Sequence, residues 1–275
     1  MSRPGRPSEP DAAAATARSR DEAPLIRGTL WLVPNALDLG AGSVLQDVLP
    51  LGVLQRAAAL AHWAAEDAKS ARAFLKRVDA VVHLAQPLQA IDIQELPRPR
   101  KGSGEAIEAG RWQALLRPAL EGRDMGLISD AGLPAIADPG AELVAAAHGA
   151  GVPVQPLPGP SSLLLTLAAA GMNGQSFAFV GYLPQQPEAR AARVRELEAL
   201  SRRLQQTQLV IETPYRNAAL LQGLLQTLAP TTRLAVGCGL TLPGGWTRSD
   251  SVAGWRAAPP QMPGRMPAVF ALLAG

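Results

Sequence analysis

The stretch richest in chemistry runs from Met125 to Gly140, MGLISDAGLPAIADPG. Its first four residues are apolar, and the run stops at Ser129-Asp130. The loop that follows is rich in Gly and Pro, carries the acids Asp130 and Asp138, and has no basic residue. Helical spacing resumes only at Glu142. A buried strand that ends in such a turn before a helix is where open α/β sheets hold ligands, beyond the carboxyl ends of their strands. A second junction of this kind is PLPGPSS, Pro156 to Ser162, which leads into an apolar segment ending at Gly171. Ser161 or Ser162 suits the N-cap of that helix, because a hydroxyl satisfies free amides of the first turn. The same amides can receive a carboxylate or another polar ligand group.

Four carboxylates stand where a general base could act: Glu66, Asp67, Asp138 and Glu212. Asp138 reads more simply as part of the entry into the next helix. Glu66, Asp67 and Glu212 remain as catalytic candidates, with nothing to choose among them.

Holding these loops requires strands and helices in alternation. Gly28 to Val33 reads as a short buried strand stopped by Pro34-Asn35. No GxGxxG follows it, which argues against a dinucleotide-binding fold. Periodicity predicts helix over Val53 to Arg77, broken near Glu66-Asp67, then strands over Val78 to Leu84 and Ile91 to Leu96. An amphipathic helix is expected over Glu105 to Leu120, ended by Gly122. A short helix over Ala141 to Gly149 and a strand beginning at Gly151 to Val154 follow the first loop. After PLPGPSS come a strand at Ser176 to Val180, a basic helix over Glu188 to Arg203 and a strand at Gln208 to Ile211. A helix over Ala218 to Leu228, a strand at Leu234 to Val236, a Gly-rich loop from Gly237 to Gly245 and a closing strand at Met266 to Leu273 complete the chain. Such alternation marks an α/β protein, and PLPGPS reads as the hinge between two lobes, residues 27–157 and 158–275. There is no internal repeat.

Bulk composition excludes several classes. With 275 residues, 47% of them hydrophobic, a substantial core is available. Cys238 is the single cysteine, and His62, His83 and His148 stand apart in sequence, so neither a disulfide framework nor a metal centre is expected. No apolar run is long enough to span a membrane, and residues 1–26 carry acids and no signal-peptide core, which reads as a disordered tail on a cytoplasmic protein. The net charge of +3 permits RNA as a partner without demanding it. An RNA partner requires the basic loop at Arg98, Arg100 and Lys101 and the helix from Arg190 to Arg203 to face the cleft.

Taken in order, SDAGLPAIADPG, PLPGPSS, GYLP and ETPYR resemble the tetrapyrrole methylase superfamily, nearest the branch of 16S ribosomal RNA cytidine 2′-O-methyltransferases and their paralogues. The resemblance extends over roughly residues 28–275. It implies two α/β lobes, each a mixed sheet flanked by helices, a ligand cleft between them, S-adenosylmethionine as cofactor, and a homodimer. By position it implies cofactor contacts from Asp130, Ala131, Gly132, Leu133 and Ile136, with Ser161 and Ser162 from the second junction. Pro34, Glu212, Thr213, Leu240, Pro267 and Ala268 would complete the pocket. The donor methyl is already activated, so such a protein mainly holds nucleophile, carbon and sulfur in line. The chain departs from the ribosomal RNA branch in four places. VPTPIGN, AEDTR, RELTK and KGE of that branch correspond here to Val33 to Gly40, Ala65 to Lys69, Gly237 to Thr241 and Pro263-Gly264-Arg265. The elements expected to meet the cofactor are closer to the family than those expected to meet the acceptor. Ribose 2′-hydroxyls of ribosomal RNA, a tetrapyrrole or another small molecule, and a non-catalytic paralogue that only binds the cofactor therefore all stand as readings.

Overall fold

In the computed structural model, residues 26–40, 42, 44–98 and 107–275 are described, so the tail expected over 1–26 lies, Ile26 apart, outside them. The first sheet is built from β1 (Leu30–Leu32), β2 (His62–Ala65), β3 (Asp92–Glu95), β4 (Met125–Ile128) and β5 (Val154–Pro156). Around it lie α1 (Leu51–Ala59), α2 (Ala68–Asp79), α3 (Ala109–Leu115), α4 (Arg117–Leu120) and α5 (Ala141–Gly149). Strand order is β3-β2-β4-β1-β5. Every pairing in it is parallel, as crossover helices between successive strands require.

The second sheet contains β6 (Phe177–Tyr182), β7 (Thr207–Glu212), β8 (Arg233–Cys238), β9 (Trp246–Ser251) and β10 (Ala268–Leu273) in the order β6-β7-β10-β8-β9. Its helices are α6 (Ser162–Ala170), α7 (Pro187–Leu204), α8 (Asn217–Thr227) and α9 (Val252–Ala257). Strands β6 and β7 are parallel while β10 runs antiparallel to both β7 and β8. The expected mixing of strand directions is thus carried by this sheet.

Three local expectations are corrected. The segment Val53 to Arg77, expected to be helical with a break near Glu66-Asp67, is α1, then β2, then α2. Strand β2, HWAA, is almost wholly buried and has no polar alternation, so by pattern it cannot be told from a buried helical turn. Asp67, read as a break, is the N-cap of α2 and accepts from the Ser70 amide at 2.7 Å. Val78 to Leu84, read as strand, is the last turn of α2 and its exit. Strand β9 and helix α9 went unassigned in the sequence reading.

Cross-strand packing fixes the register of the first sheet. Trp63 of β2 lies opposite Gly126 of β4, and a Cβ on that glycine would sit 2.6 Å from the Trp63 ring. The indole also meets Phe74 of α2 edge-on at 6.4 Å and donates to the Leu60 carbonyl. Gly126 is where the sheet makes room for the buried Trp63 ring. Gly126→Ala is expected to destabilise the protein by about 1–3 kcal/mol through overpacking, measured by urea unfolding. An unchanged midpoint would refute this account of the pair.

Candidate active site

Strands β1 and β4 are neighbours, and the chain leaves both at their carboxyl ends on the same edge of the sheet. The loop after β1 reaches across to the loop after β4. Asn35 and Gly132 exchange backbone hydrogen bonds of 2.9 and 2.8 Å, an isolated antiparallel bridge. The Asn35 side-chain amide adds bonds to the carbonyls of Ser129 at 3.2 Å and Asp130 at 2.9 Å. This clamp holds a strained loop. Ala135 and Ala137 adopt φ values of 65° and 66°, a left-handed conformation that ordinary residues keep only where the surroundings enforce it. Pro34 lies directly against the second junction, since a Cβ on Gly159 would come within 2.3 Å of its ring.

Between the two sheets lies a cavity of about 250 Å³. Its first wall is the clamped loop, with Ala131, Gly132, Leu133 and Ile136. Ser161 and Ser162 line it from the start of α6, Glu212 and Thr213 from the end of β7, and Pro267 and Ala268 from the start of β10. The structure brings all of these together. Three other expected contacts do not reach the lining. Pro34 stands behind Gly159, Asp130 faces a shallow depression shared with Asn35 and Ser70, and Leu240 packs beneath Gly237.

Sequence reasoning missed Tyr182, Leu163, Gly237 and Gly239, which also line the cavity, as does Asp138, which it had set aside. Tyr182 arrives there through a β-bulge. Its strand slips register between Phe179 and Tyr182, and Gly181 takes a φ of 73°. Bulges of this kind re-aim a side chain next to a site. A Cβ on Gly237 would meet the Thr166 hydroxyl at 2.2 Å, so only glycine lets α6 lie so close to β8. Signals for these two were present as the Gly in GYLP and the Gly in VGCG. Ser161 does occupy the N-cap of α6, but its side chain makes no capping bond, which leaves its hydroxyl free for the cavity.

Three of the four carboxylates are engaged elsewhere. Asp67 caps α2, and its hydrogen bonds to Ser70 hold its pKa below the usual carboxylate range. Glu212 receives the Arg216 guanidinium at 2.9 and 2.7 Å and the Thr213 amide at 2.7 Å. Glu66 accepts from the Asp130 amide at 3.2 Å. Asp138 differs. Burial, then the nearby charge of Glu66, raise its pKa to about 6, against a lowering contribution from the Ser129 hydroxyl. Burial and the same acid also push the Tyr182 phenol upward, so it stays neutral at physiological pH.

The basic residues lie mostly away from the cavity. On β10, Val269 and Ala271 pack with α6, whereas Phe270 and Leu272 pack with α7 and α8. Alternation along a strand places these helices on opposite faces, so the arginines of α7 stand behind the sheet. Arg98 is at the acidic edge, donating to the Glu66 carbonyl at 2.8 Å. Arg100 and Lys101 lie outside the described residues. Among those described, no cluster of His, Cys, Asp or Glu is arranged to hold a metal ion, and no helix is long and apolar enough to cross a membrane. A larger groove of about 800 Å³ runs between α8 and Pro259 to Met262 and shares no lining residue with the cavity between the sheets.

Comparison with known proteins gives a family model described as Tetrapyrrole (Corrin/Porphyrin) Methylases matching residues 54–247. The ribosomal RNA small subunit methyltransferase I of Vibrio cholerae serotype O1 is 37% identical over 134 residues, covering 49% of this chain and 45% of that protein. Its counterpart from Micromonospora olivasterospora is 40% identical over 121 residues, covering 44% of this chain and 37% of that one. The matched part thus spans less than half the length of these relatives. Among solved structures, the methyltransferase CobJ superposes with a TM-score of 0.52 at 17% identity, over 90% of this chain and all of that one, a likeness of fold.

The clamp has a measurable weight. Asn35→Leu keeps the bulk but removes both side-chain donors, and is expected to cost about 1–3 kcal/mol and to speed hydrogen exchange at the Gly132 amide. Urea unfolding and exchange measured by NMR check this. A loss under about 0.5 kcal/mol, the range of a neutral surface change, would show that the side chain does not hold the loop.

Proposed function

Because this chain belongs to the tetrapyrrole methylase family, we propose that it is an S-adenosylmethionine-dependent methyltransferase whose cofactor lies in the cavity between the two sheets. The observation that carries this reading is the convergence on one cavity of loops from both lobes, 27–157 and 158–275. The residues present fit that cofactor. Its lining is mostly small and apolar, so main-chain amides and carbonyls can approach adenine and ribose closely. Asp138 in the lining, which has no ion-pair partner among the described residues, supplies negative charge to a cationic ligand, while Glu212 is already paired with Arg216. The cofactor supplies an activated methyl group. The protein's own part is to hold the acceptor in line with it, exclude water, and receive the acceptor's proton.

The names of the relatives support ribosomal RNA as acceptor, with a ribose 2′-hydroxyl as nucleophile. Tyr182 and Tyr215, both exposed near the ETPYR turn, offer faces for unstacked bases. The arginines of α7, placed behind the sheet, favour a second reading in which the acceptor is a small molecule. We also propose a homodimer, supported by the exposed outer face of α6, where Leu164 and Leu165 are 52% and 41% exposed.

Calorimetric titration with S-adenosylmethionine is expected to give saturable binding. Ser162→Trp, which fills the cavity from an exposed position, should weaken it at least about tenfold with the melting temperature of the free protein unchanged. Absence of binding by the wild-type protein would overturn the proposal. Transfer of labelled methyl groups to isolated small ribosomal subunits, and not to a panel of tetrapyrroles, would decide for RNA.

A further inference from the structure

We propose that the depression between α2 and the loop after β1 is a second ligand site, for a flat ring bearing an amino or amidino group. It goes beyond the methyltransferase reading, because it shares no lining residue with the cavity between the sheets. The recess measures about 160 Å³, room for one ring with a small substituent. Ser70, Ala73 and Arg77 lie along one stripe of α2 and face the loop after β1 across it. Ala36, Ala73 and the buried Phe74 supply its apolar surface. The recess and the cavity adjoin at one peptide, since Asp130 lines the first and Ala131 the second.

What the polar groups have left to offer decides the ligand. Asp38 and Arg77 pair at 3.4 Å, and the other Asp38 oxygen holds the amides of Gly40 and Gly42. The Ser70 hydroxyl gives its proton to Asp67, so for a ligand it has only lone pairs. The Asp130 carboxylate enters no ion pair among the described residues. Asn35 is the clearest case. Its backbone is taken by Gly132 and its Nδ2 by the carbonyls of Ser129 and Asp130. Only Oδ1 is left, a buried acceptor without a partner on a residue 4% exposed. Such an atom costs free energy that an incoming donor recovers. A ligand that satisfies these acceptors brings N–H groups, and the charge of Asp130 favours a cation. Apolar walls with a few placed polar groups are the usual make-up of a small-molecule site. A ring with an amino or amidino edge meets these demands, and a carboxylate or phosphate does not. Two sources carry that chemistry: a non-reacting part of the methyl acceptor, and a free aminated heterocycle.

The probe is benzamidine, with benzoate as a control of similar shape and opposite charge. Titration followed by NMR should give saturable shifts of the Asn35 side-chain amide, with a Kd of about 1–10 mM for so small a ligand. Benzoate should bind at least about tenfold more weakly. Ala73→Trp fills the recess from an exposed helix position. It should lose at least about tenfold in benzamidine affinity and keep its affinity for S-adenosylmethionine within about twofold. Ala73→Met serves in its place should the first variant not fold, and Ala73→Ser should bind benzamidine as the wild type does. Absence of a shift at Asn35, equal binding by Ala73→Trp, or equal binding of benzoate would each overturn the site. Labelled methyl transfer to small ribosomal subunits separates the two sources. A KM raised at least about fivefold in Ala73→Trp at unchanged kcat assigns the ring to the acceptor, and an unchanged KM assigns it to a free ligand. A wild-type protein that shifts with benzamidine but does not bind S-adenosylmethionine would overturn the methyltransferase reading and leave this site standing.

Discussion

The whole cleft depends on one side chain being an amide. Asn35 presents two N–H donors where the loop after β4 turns two carbonyls away from the sheet, and its own backbone pairs with Gly132 on both sides. A carboxylate there would face carbonyl oxygens, and a hydrophobic residue would leave them bare in a buried place. The amide also explains how a loop with two left-handed alanines persists. Strain of roughly 1–3 kcal/mol at each such residue is opposed by bonds whose loss would leave buried carbonyls unpaired. Order in the loop after β4 therefore originates in a residue outside the cavity lining.

Charge in the cleft follows from the same economy of positions. The fold assigns most of its acids near the cavity to structural duties. One begins a helix, one is locked to an arginine, and one receives an amide from the loop beside it. What remains is a carboxyl held by a turn in a site already rich in negative charge. Its altered proton affinity is a result of where its neighbours are anchored. The neutral phenol of Tyr182, delivered by an edge-strand bulge, gives the opposite wall a polar group without adding a charge.

Much of the architecture was legible because loops carry strong local signals. Pro, Gly and Asp mark strand ends whether or not the strands are recognised, so SDAGLPAIADPG, PLPGPSS and ETPYR were located correctly and most of their expected contacts share one cavity. Strand β2 escaped because HWAA is short, buried on both faces and Ala-rich, and parallel central strands lose the alternation that identifies a strand. The edge pair of β9 and α9 escaped for the opposite reason, since WTRSDS is half-exposed and polar and resembles a loop. Asn35 looked like a turn residue, and its partners lie 94 and 95 residues away, a distance no local pattern reports. The arginines of α7 gave a true amphipathic helix, but sequence periodicity does not say which face of a sheet it will cover.

The second junction has a consequence for how a ligand is received. Pro156, Pro158 and Pro160 each fix a backbone dihedral, and Gly159 between them is pressed on Pro34 of the loop after β1. A segment of this composition has few conformations to lose. The mouth of the cavity is set to its width during folding, when the chain bears the entropy of ordering it, and that expense is not charged again at each encounter with cofactor. Association should then resemble the entry of a key into a cut lock, with product release governed by contacts inside the cavity and not by the opening of a door.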